Sequence, residues 1–253
     1  MSRSWIAAAI VLTASLAAAP ALAKTPAYVT AAIADAGRPD ADKQLDADRK
    51  PAEMVLFAGI KPGSRVMDLM PGPGYFTRIF AKVVGDKGWV YAFVPAEIDP
   101  IIAKRFPGID IKKQFAAYPN ASVLHGPINS LAAPESLDVV WTAQNYHDFH
   151  DPFYAPADLA LVNKAVFNAL KPGGVFIVLD HAAADGSGLR DTNTLHRIDE
   201  ATVKTEVEAA GFKLVGESRV LRNPKDPRDK LVFDPSIRHH TDQFILKFMK
   251  PRH

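Results

Sequence analysis

The sequence predicts an α/β domain built on a doubly wound, Rossmann-like sheet of seven strands, mostly parallel, with a terminal antiparallel hairpin strand. Short apolar runs alternate with segments of helical patterning, which is typical of a parallel sheet covered on both faces. The last two runs follow each other without a helix between them, and this order indicates the hairpin. The predicted strands are residues 65–69, 89–94, 122–124, 137–143, 175–180, 212–218 and 243–249.

Four segments between these strands have the spacing of covering helices. They are residues 76–84, 99–106, 156–170 and 200–210, and a further helix is predicted to begin near Pro51. Residues 24–50 are polar and rich in Ala and Asp, and they predict an arm with one short helix. A chain of 253 residues is long enough for one sizeable core, so we predict a single domain over residues 51–253.

The first twenty-three residues have the pattern of an export signal. Arg3 supplies a positive start, residues 5–19 are apolar, and Ala21-Leu22-Ala23 forms a small-residue cleavage site. We interpret residues 1–23 as a signal peptide and expect the mature chain to be periplasmic or secreted. An uncleaved anchor helix is the alternative, although Pro20 interrupts the apolar run before it reaches the roughly 20 residues of a bilayer span.

Composition limits the classes of partner. The 30 basic and 28 acidic residues nearly balance, and no cysteine is present. Such a balance does not favour nucleic-acid binding, and no later segment is apolar enough for stable membrane insertion after signal cleavage. The folded core must therefore be stable without disulfides, even in an oxidising compartment outside the cytoplasm where disulfides persist. We therefore expect a small-molecule substrate.

The most informative segment follows the first predicted strand. Asp68 ends that strand, and Pro71-Gly72-Pro73-Gly74 forms a tight turn before Tyr75 opens a helix. Glycine allows a sharp turn and close approach of a ligand, and the helix start offers free N–H groups to a carboxylate. In open α/β sheets, ligands bind in the crevice beyond the carboxyl ends of the strands. The loop is therefore the predicted cofactor site.

The pattern acid-x-x-Pro-Gly-x-Gly-aromatic over residues 68–75, with Leu170-Lys171-Pro172-Gly173-Gly174 before a later strand, resembles class I S-adenosylmethionine-dependent methyltransferases. It is most similar to a little-characterised group of predicted exported methyltransferases, over roughly residues 50–250. The resemblance implies S-adenosylmethionine as cofactor. By that resemblance, the residues that bind it are Asp68, Gly72, Gly74, Tyr75, Glu97 and Asn145.

The sequence departs from the family pattern at several points. Met70 stands where the first glycine of the loop is usual, and Pro73 lacks a backbone donor. The second strand runs into Val94 and Pro95 where an acid usually binds the ribose, so Glu97 is the expected substitute. Asn129 is a weaker replacement for the acid after the third strand, or else a surface residue.

Polar residues follow the later strands at the same crevice edge. Methyl transfer requires an aligned acceptor and removal of its proton, and histidine has a pKa suited to the role of base. The predicted catalytic residues are His147, Asp148, His181 and His196. Asp148 or Asp180 would orient the imidazoles. Structural roles for each histidine, and a divalent metal bound by the same set, remain alternatives, and sequence spacing alone assigns no metal ligand.

Two long insertions follow strands on the crevice side and are candidates for a lid over the substrate. They span residues 182–194 and 221–241. Arginines in and next to them would either meet an anionic group or remain as solvated surface charges. These are Arg190, Arg197, Arg222 and Arg238.

Taken with the resemblance, these features predict an exported S-adenosylmethionine-dependent methyltransferase that transfers methyl to oxygen or nitrogen of a small molecule. The alternative is an exported binding protein, or a metal-assisted enzyme, that keeps the fold and no longer uses the cofactor. The two hypotheses differ over the acids that usually bind the nucleoside, and the loss of these acids favours the second hypothesis.

Overall fold

The computed structural model describes residues 24–252, apart from positions 106, 109, 111–112 and 155–156. The predicted signal peptide lies outside the described residues. The sheet has seven strands in the order β3-β2-β1-β4-β5-β7-β6. The strands are β1 (Arg65–Leu69), β2 (Trp89–Pro95), β3 (Ala121–Gly126), β4 (Leu137–Ala143), β5 (Leu170–His181), β6 (Lys213–Ser218) and β7 (Gln243–Met249).

Strand directions confirm the predicted fold class. The pairs β1–β2, β1–β4, β2–β3 and β4–β5 are parallel, and β7 runs antiparallel to both β5 and β6. The α-helices are α1 (Ala27–Ile33), α2 (Asp40–Gln44), α3 (Asp46–Arg49), α4 (Pro51–Ala58), α5 (Tyr75–Val84), α6 (Asp99–Arg105), α7 (Leu159–Ala169), α8 (Thr192–Leu195) and α9 (Glu200–Ala209).

The core has two layers because successive strand residues point to opposite faces of the sheet. In β1, Val66 packs with the residues of α1, α4 and α5, whereas Met67 packs on the other face with those of α7 and α9. Both side chains are fully buried. This alternation explains why the strands read as continuous apolar runs in the sequence.

The arm of residues 24–50 is more ordered than the sequence predicts, because it contains α1, α2 and α3 instead of one short helix. Val29 and Ala32 of α1 are buried in the same cluster as α5. The Arg38 guanidinium binds Asp46 within the arm, and Arg78 of α5 attaches the arm by binding Asp42 at 2.7 Å. The arm therefore packs as part of the domain.

The Lys-Pro-Gly-Gly segment is a second difference from the sequence prediction. Residues 171–174 belong to β5 itself, where the pairing register with β4 shifts between Leu137 and Val139. A Cβ atom on Gly174 would lie 2.9 Å from the carbonyl oxygen of Lys171, so the kink at this point requires glycine. Within the part of the chain that the structure describes, no helix has the length and apolar character needed to cross a bilayer.

Candidate active site

The polar residues singled out in the sequence lie at one edge of the sheet. β1, β4 and β5 end there, and β7 starts there because it is antiparallel. Met70 and Gln144 directly follow β1 and β4, and both have left-handed backbone conformations, with φ of 59° and 61°. Such conformations in residues with a side chain are uncommon and cluster at functional sites. This edge of the sheet is therefore the candidate active site.

Asp68 lies beneath the glycine loop and is 3% exposed. Its Oδ2 atom accepts a hydrogen bond of 2.6 Å from the hydroxyl of Thr77, one turn into α5. Burial raises the pKa of Asp68 to about 7, because the bonds from Thr77 and the charges of Arg49 and Arg78 offset only part of the desolvation. The sequence did not point to Thr77, although its place on the first turn after Gly74 brings it above the strand end.

The two glycines of the loop have different surroundings. Both have positive φ, 53° at Gly72 and 89° at Gly74. A Cβ atom on Gly72 would meet nothing within 4 Å, whereas one on Gly74 would lie 2.3 Å from the ring of Phe115. Gln114 also donates a hydrogen bond to the carbonyl oxygen of Gly72 at 2.8 Å. Gly72 therefore borders open space, and Phe115 covers Gly74.

Arg49 of α3 is a cation beside this loop that sequence reasoning did not identify. Its guanidinium carbon lies 4.6 Å from the centre of the Tyr75 ring and 6.0 Å from that of Phe76. Burial lowers its pKa, and the charges of Asp42 and Asp68 are among those that oppose that shift. Arg49 also borders a cleft beside Phe76 and Gln144. The arm thus places a positive charge next to the predicted cofactor loop.

The side chains of three other predicted cofactor residues are engaged within the protein. The Tyr75 hydroxyl donates a 2.6 Å hydrogen bond to Asp46 of the arm. The Glu97 carboxylate accepts from the backbone N–H of Ile128 at 3.0 Å. Asn145 donates to the carbonyl oxygens of Met70 and Ala143. Asn145 thus joins the loops after β1 and β4, whereas Tyr75 anchors the arm.

His147 is held by Asp180 at two points. Its backbone N–H donates to Asp180 Oδ2, and its Nδ1 atom lies 2.8 Å from Asp180 Oδ1. Both residues are almost completely buried. Burial alone would lower the pKa of His147, but the charge of Asp180 and the hydrogen bonds to Asp148 and Asp180 outweigh it and raise that pKa to about 10. Asp180 therefore orients the ring, as its position at the end of β5 predicts.

Asp148 and His196 meet the other nitrogen of His147. The Nε2 atom of His147 lies 3.1 Å from Asp148 Oδ1 and 3.2 Å from His196 Nδ1. The His196 nitrogen lies 3.3 Å from the same Asp148 oxygen. Burial would raise the pKa of Asp148, but hydrogen bonds from the two imidazoles lower it to about 2. Three of the four predicted catalytic residues thus share one point.

His181 does not share that point. Its Nδ1 atom lies 2.7 Å from the hydroxyl of Thr241, and its ring centre is 6.2 Å from that of His147. Burial is the main reason that its pKa falls to about 3, so the ring is neutral. The ring is therefore turned toward the loop before β7 and acts as a buried support beside the cluster.

The insertions are fixed by arginines that bind acids within the protein. Arg197 and Asp226 form an ion pair of 2.8 Å in which both side chains are fully buried. Arg222 pairs with Glu200 and Asp242, and Arg190 pairs with Asp191. These three arginines are therefore engaged within the protein, and Arg197 ties residues 221–241 to the segment before α9.

Comparisons with known proteins agree with this architecture. No known family profile matches the sequence. The chain is 27% identical over 199 residues to a protein of Teredinibacter turnerae named ubiquinone/menaquinone biosynthesis C-methyltransferase UbiE, covering 77% of this chain and 68% of that one. The protein of the same name from Shewanella oneidensis is 28% identical over 196 residues, with coverage of 77% and 67%.

Solved structures define the class of fold. A SAM-dependent methyltransferase from Aquifex aeolicus has a TM-score of 0.54 at 20% identity, covering 84% of this chain and 98% of that one. One from Mesorhizobium loti has a TM-score of 0.53 at 17% identity, with coverage of 81% and 99%. The [4+2]-cyclase SpnF reaches 0.57 at 16%, with coverage of 84% and 82%. The chain therefore has the Rossmann-like methyltransferase fold.

Proposed function

We propose that this protein is an S-adenosylmethionine-dependent methyltransferase that transfers methyl to an oxygen or nitrogen of a small-molecule acceptor. The observation that carries the proposal is the end of β1 and the loop after it, where a buried acid in the strand and two glycines with positive φ in the loop precede a helix. Relatives and fold neighbours that are named as methyltransferases support the use of S-adenosylmethionine for methyl transfer. The name of the relatives refers to transfer to carbon, so the oxygen or nitrogen acceptor rests on the polar histidine cluster alone.

The cofactor would bind with its amino acid portion over the glycine loop. Gly72 offers space for close approach, and Asp68 provides a carboxylate for the ammonium group. Arg49 provides a positive charge for the carboxylate group of the cofactor, in addition to the N-terminus of α5. Glu97 and Asn145 lie at the ends of β2 and β4, where the nucleoside and the methyl group would follow.

The acceptor would bind against the cluster of His147, Asp148 and His196, which we assign the role of orienting it. We assign removal of its proton to His196 and not to His147, because a pKa raised to about 10 keeps the His147 imidazole protonated at neutral pH. His196 is 27% exposed, and its ring centre lies 5.2 Å from that of Phe233, an exposed aromatic side chain. A polar cluster with an apolar side chain at its rim suits a small acceptor that has both kinds of surface. His181 supports the cluster from the buried side.

A second function is favoured by the contacts of Phe115 and Glu97. The Phe115 ring covers Gly74, and the Glu97 carboxylate is already bonded to Ile128. Both features suit an enzyme or binding protein that keeps the fold and no longer uses S-adenosylmethionine. A fold neighbour described as a [4+2]-cyclase illustrates that this fold is not limited to proteins named as methyltransferases.

We also propose that the protein acts outside the cytoplasm, in the periplasm or as a secreted protein. The basic start, apolar run and small-residue cleavage site of residues 1–23 support this location. Membership of an exported subgroup of methyltransferases rests on the same segment. The cofactor would then have to reach the enzyme from the cytoplasm, where its synthesis uses ATP.

Calorimetry with S-adenosylhomocysteine tests the cofactor proposal. We expect the mature protein to bind it and Gly72→Val to lose at least tenfold in affinity, because a branched side chain would fill the space over the loop. Gly63→Val is the matched control, since Gly63 also has positive φ and open surroundings but lies before β1, at the opposite end of the strand. Both substitutions place a branched residue at positive φ, 53° at Gly72 and 86° at Gly63, and only the first should affect the ligand.

The outcome separates the two functions. Circular dichroism should show that both variants keep the fold, so that a loss of binding is not a loss of structure. If the wild-type protein gives no heat of binding at millimolar ligand, the second function replaces the first. If the Gly72 and Gly63 variants bind the ligand with equal affinity, the cofactor does not bind at this loop.

A further inference from the structure

Three side-chain atoms of the histidine cluster form a nearly regular triangle. They are His147 Nε2, Asp148 Oδ1 and His196 Nδ1, and the sides measure 3.1, 3.2 and 3.3 Å. The three residues come from two loops that are separated by about fifty positions in the sequence. Each atom is of a kind that binds transition metals.

Hydrogen bonds do not account for all three sides of the triangle. Each imidazole nitrogen carries at most one proton, and one proton cannot point linearly at two acceptors. If both nitrogens donate to Asp148, the 3.2 Å contact between them brings two donors together. The two imidazole planes are inclined at 84°, and their nitrogens converge on the same space. The arrangement fits ligands around a common centre better than a chain of hydrogen bonds.

The size of the triangle matches a coordination sphere. For metal–ligand bonds of about 2.1 Å, neighbouring ligand atoms lie roughly 3.0 Å apart in an octahedron and roughly 3.4 Å apart in a tetrahedron. The observed sides fall between these two values. Two imidazoles and one carboxylate on one face leave positions open on the opposite side, as in catalytic metal sites.

The groups behind the triangle favour a bound cation. Asp180 holds His147 through Nδ1, which directs Nε2 to the centre of the triangle, and a carboxylate behind a ligand histidine is the usual support of a metal site. Asp148 and Asp180 together place one carboxylate at each ring nitrogen of His147. His196 is held in a left-handed conformation, with φ of 53°, that brings Nδ1 to the same place.

We propose that His147 Nε2, His196 Nδ1 and Asp148 Oδ1 bind one divalent transition-metal ion of the zinc or cobalt class. The ion is accessible from one side only, since His147 is 2% exposed while Asp148 and His196 are 14% and 27% exposed. Its open positions face the rim near Phe233 and would take an oxygen of the substrate or a water molecule. The three ligand residues are not part of the cofactor loop, so metal binding and cofactor binding can be measured separately.

The test uses the full mature protein, stripped with a chelator and titrated with Zn²⁺ by calorimetry and with Co²⁺ by absorption spectroscopy. We expect one ion per chain and ligand-field bands for the cobalt form. His196→Ala and Asp148→Asn should each weaken binding by at least tenfold, because each removes one ligand. The matched control is His125→Ala: His125 lies 2.9 Å from Asp99 in a histidine–aspartate pair on β3, outside the cluster. It should leave metal binding unchanged.

Metal content and thermal stability provide a second measurement. Zn²⁺ should raise the melting temperature of the wild-type protein and of His125→Ala, and it should have little effect on His196→Ala. Absence of one-to-one binding in the wild type would overturn the proposal. So would wild-type affinity in both His196→Ala and Asp148→Asn, or an equal loss in His125→Ala. Binding of S-adenosylhomocysteine is followed in the same samples, so that failure of either proposal is seen by itself.

Discussion

Replacement of Asp68 by asparagine should change how the stability of the protein depends on pH. Burial raises the pKa of this carboxyl from its ordinary 3.8 to about 7, so the folded state holds a proton that the unfolded state releases. Between these two values the folded state binds more protons, and its stability falls as the pH rises. The amide of the Asp68→Asn variant does not titrate, so the variant lacks this contribution. Thr77 can still donate to the amide oxygen of the new side chain.

The magnitude follows from the size of the pKa shift. One pKa unit corresponds to about 1.4 kcal/mol, so the wild-type protein should lose about 2 kcal/mol between pH 5 and pH 7 through Asp68. Asp68 is half ionised at pH 7, so this contribution levels off near pH 8. Other titrating groups are common to both proteins, so the difference between the two curves isolates Asp68.

The assay is urea unfolding at pH 5, 6, 7 and 8, followed by the fluorescence of Trp89 and Trp141. The Asp40→Asn variant is a control, because that carboxyl is 92% exposed. The unfolding free energy of the Asp68→Asn variant minus that of the wild type should grow by about 2 kcal/mol from pH 5 to pH 7. Parallel curves for these two proteins would refute a raised pKa at Asp68.

The same proton should affect cofactor binding. An ammonium group beside Asp68 favours the ionised carboxylate, so the affinity for S-adenosylhomocysteine should rise by up to about tenfold per pH unit below pH 7. It should then level off. The Asp68→Asn variant should bind weakly and without this rise.

Two further predictions concern the lid and the N-terminus. Arg197→Met leaves Asp226 as a buried, unpaired charge and should lower the unfolding free energy by about 3–5 kcal/mol in urea titrations, whereas Arg190→Met, at an exposed position, should change it little; equal losses would contradict the difference in burial. The mature protein should begin at Lys24 when the exported form is sequenced from its N-terminus, and recovery of a membrane-anchored chain that retains Met1 would contradict cleavage.

Much of the sheet could be predicted because its strands are buried on both faces. β1, β4 and β7 begin and end at the predicted residues, and the hairpin of β6 and β7 was visible from the missing helix between them. Residues 171–174 were expected before the strand but belong to β5, because local patterning does not reveal a shift of pairing register within a strand. The sequence predicted too little helix in the arm, because the helices of the arm depend on packing against α5.

The candidate site was only partly predictable. The positions of His147, Asp148 and His196 after strand ends placed them at the correct edge, but the direction of the His196 ring depends on a left-handed backbone that no local pattern specifies. The same reasoning predicted that His181 would lie with these residues. Its Nδ1 atom instead bonds to Thr241 in the loop before β7, and this contact turns the ring away from the cluster. The contact of Phe115 with Gly74 could not be predicted, because Phe115 lies in a loop whose sequence has no hydrophobic periodicity.

The distance in sequence between the two halves of the histidine cluster has a consequence for a chain without cysteine. An ion held by residues 147, 148 and 196 would join two loops as a crosslink does, and it would bind the native state alone, because the unfolded chain does not bring these side chains together. At a free ion concentration a thousand times the dissociation constant, such linkage is worth about 4 kcal/mol. In the exported protein that we propose, the supply of metal would then govern the stability of the native state.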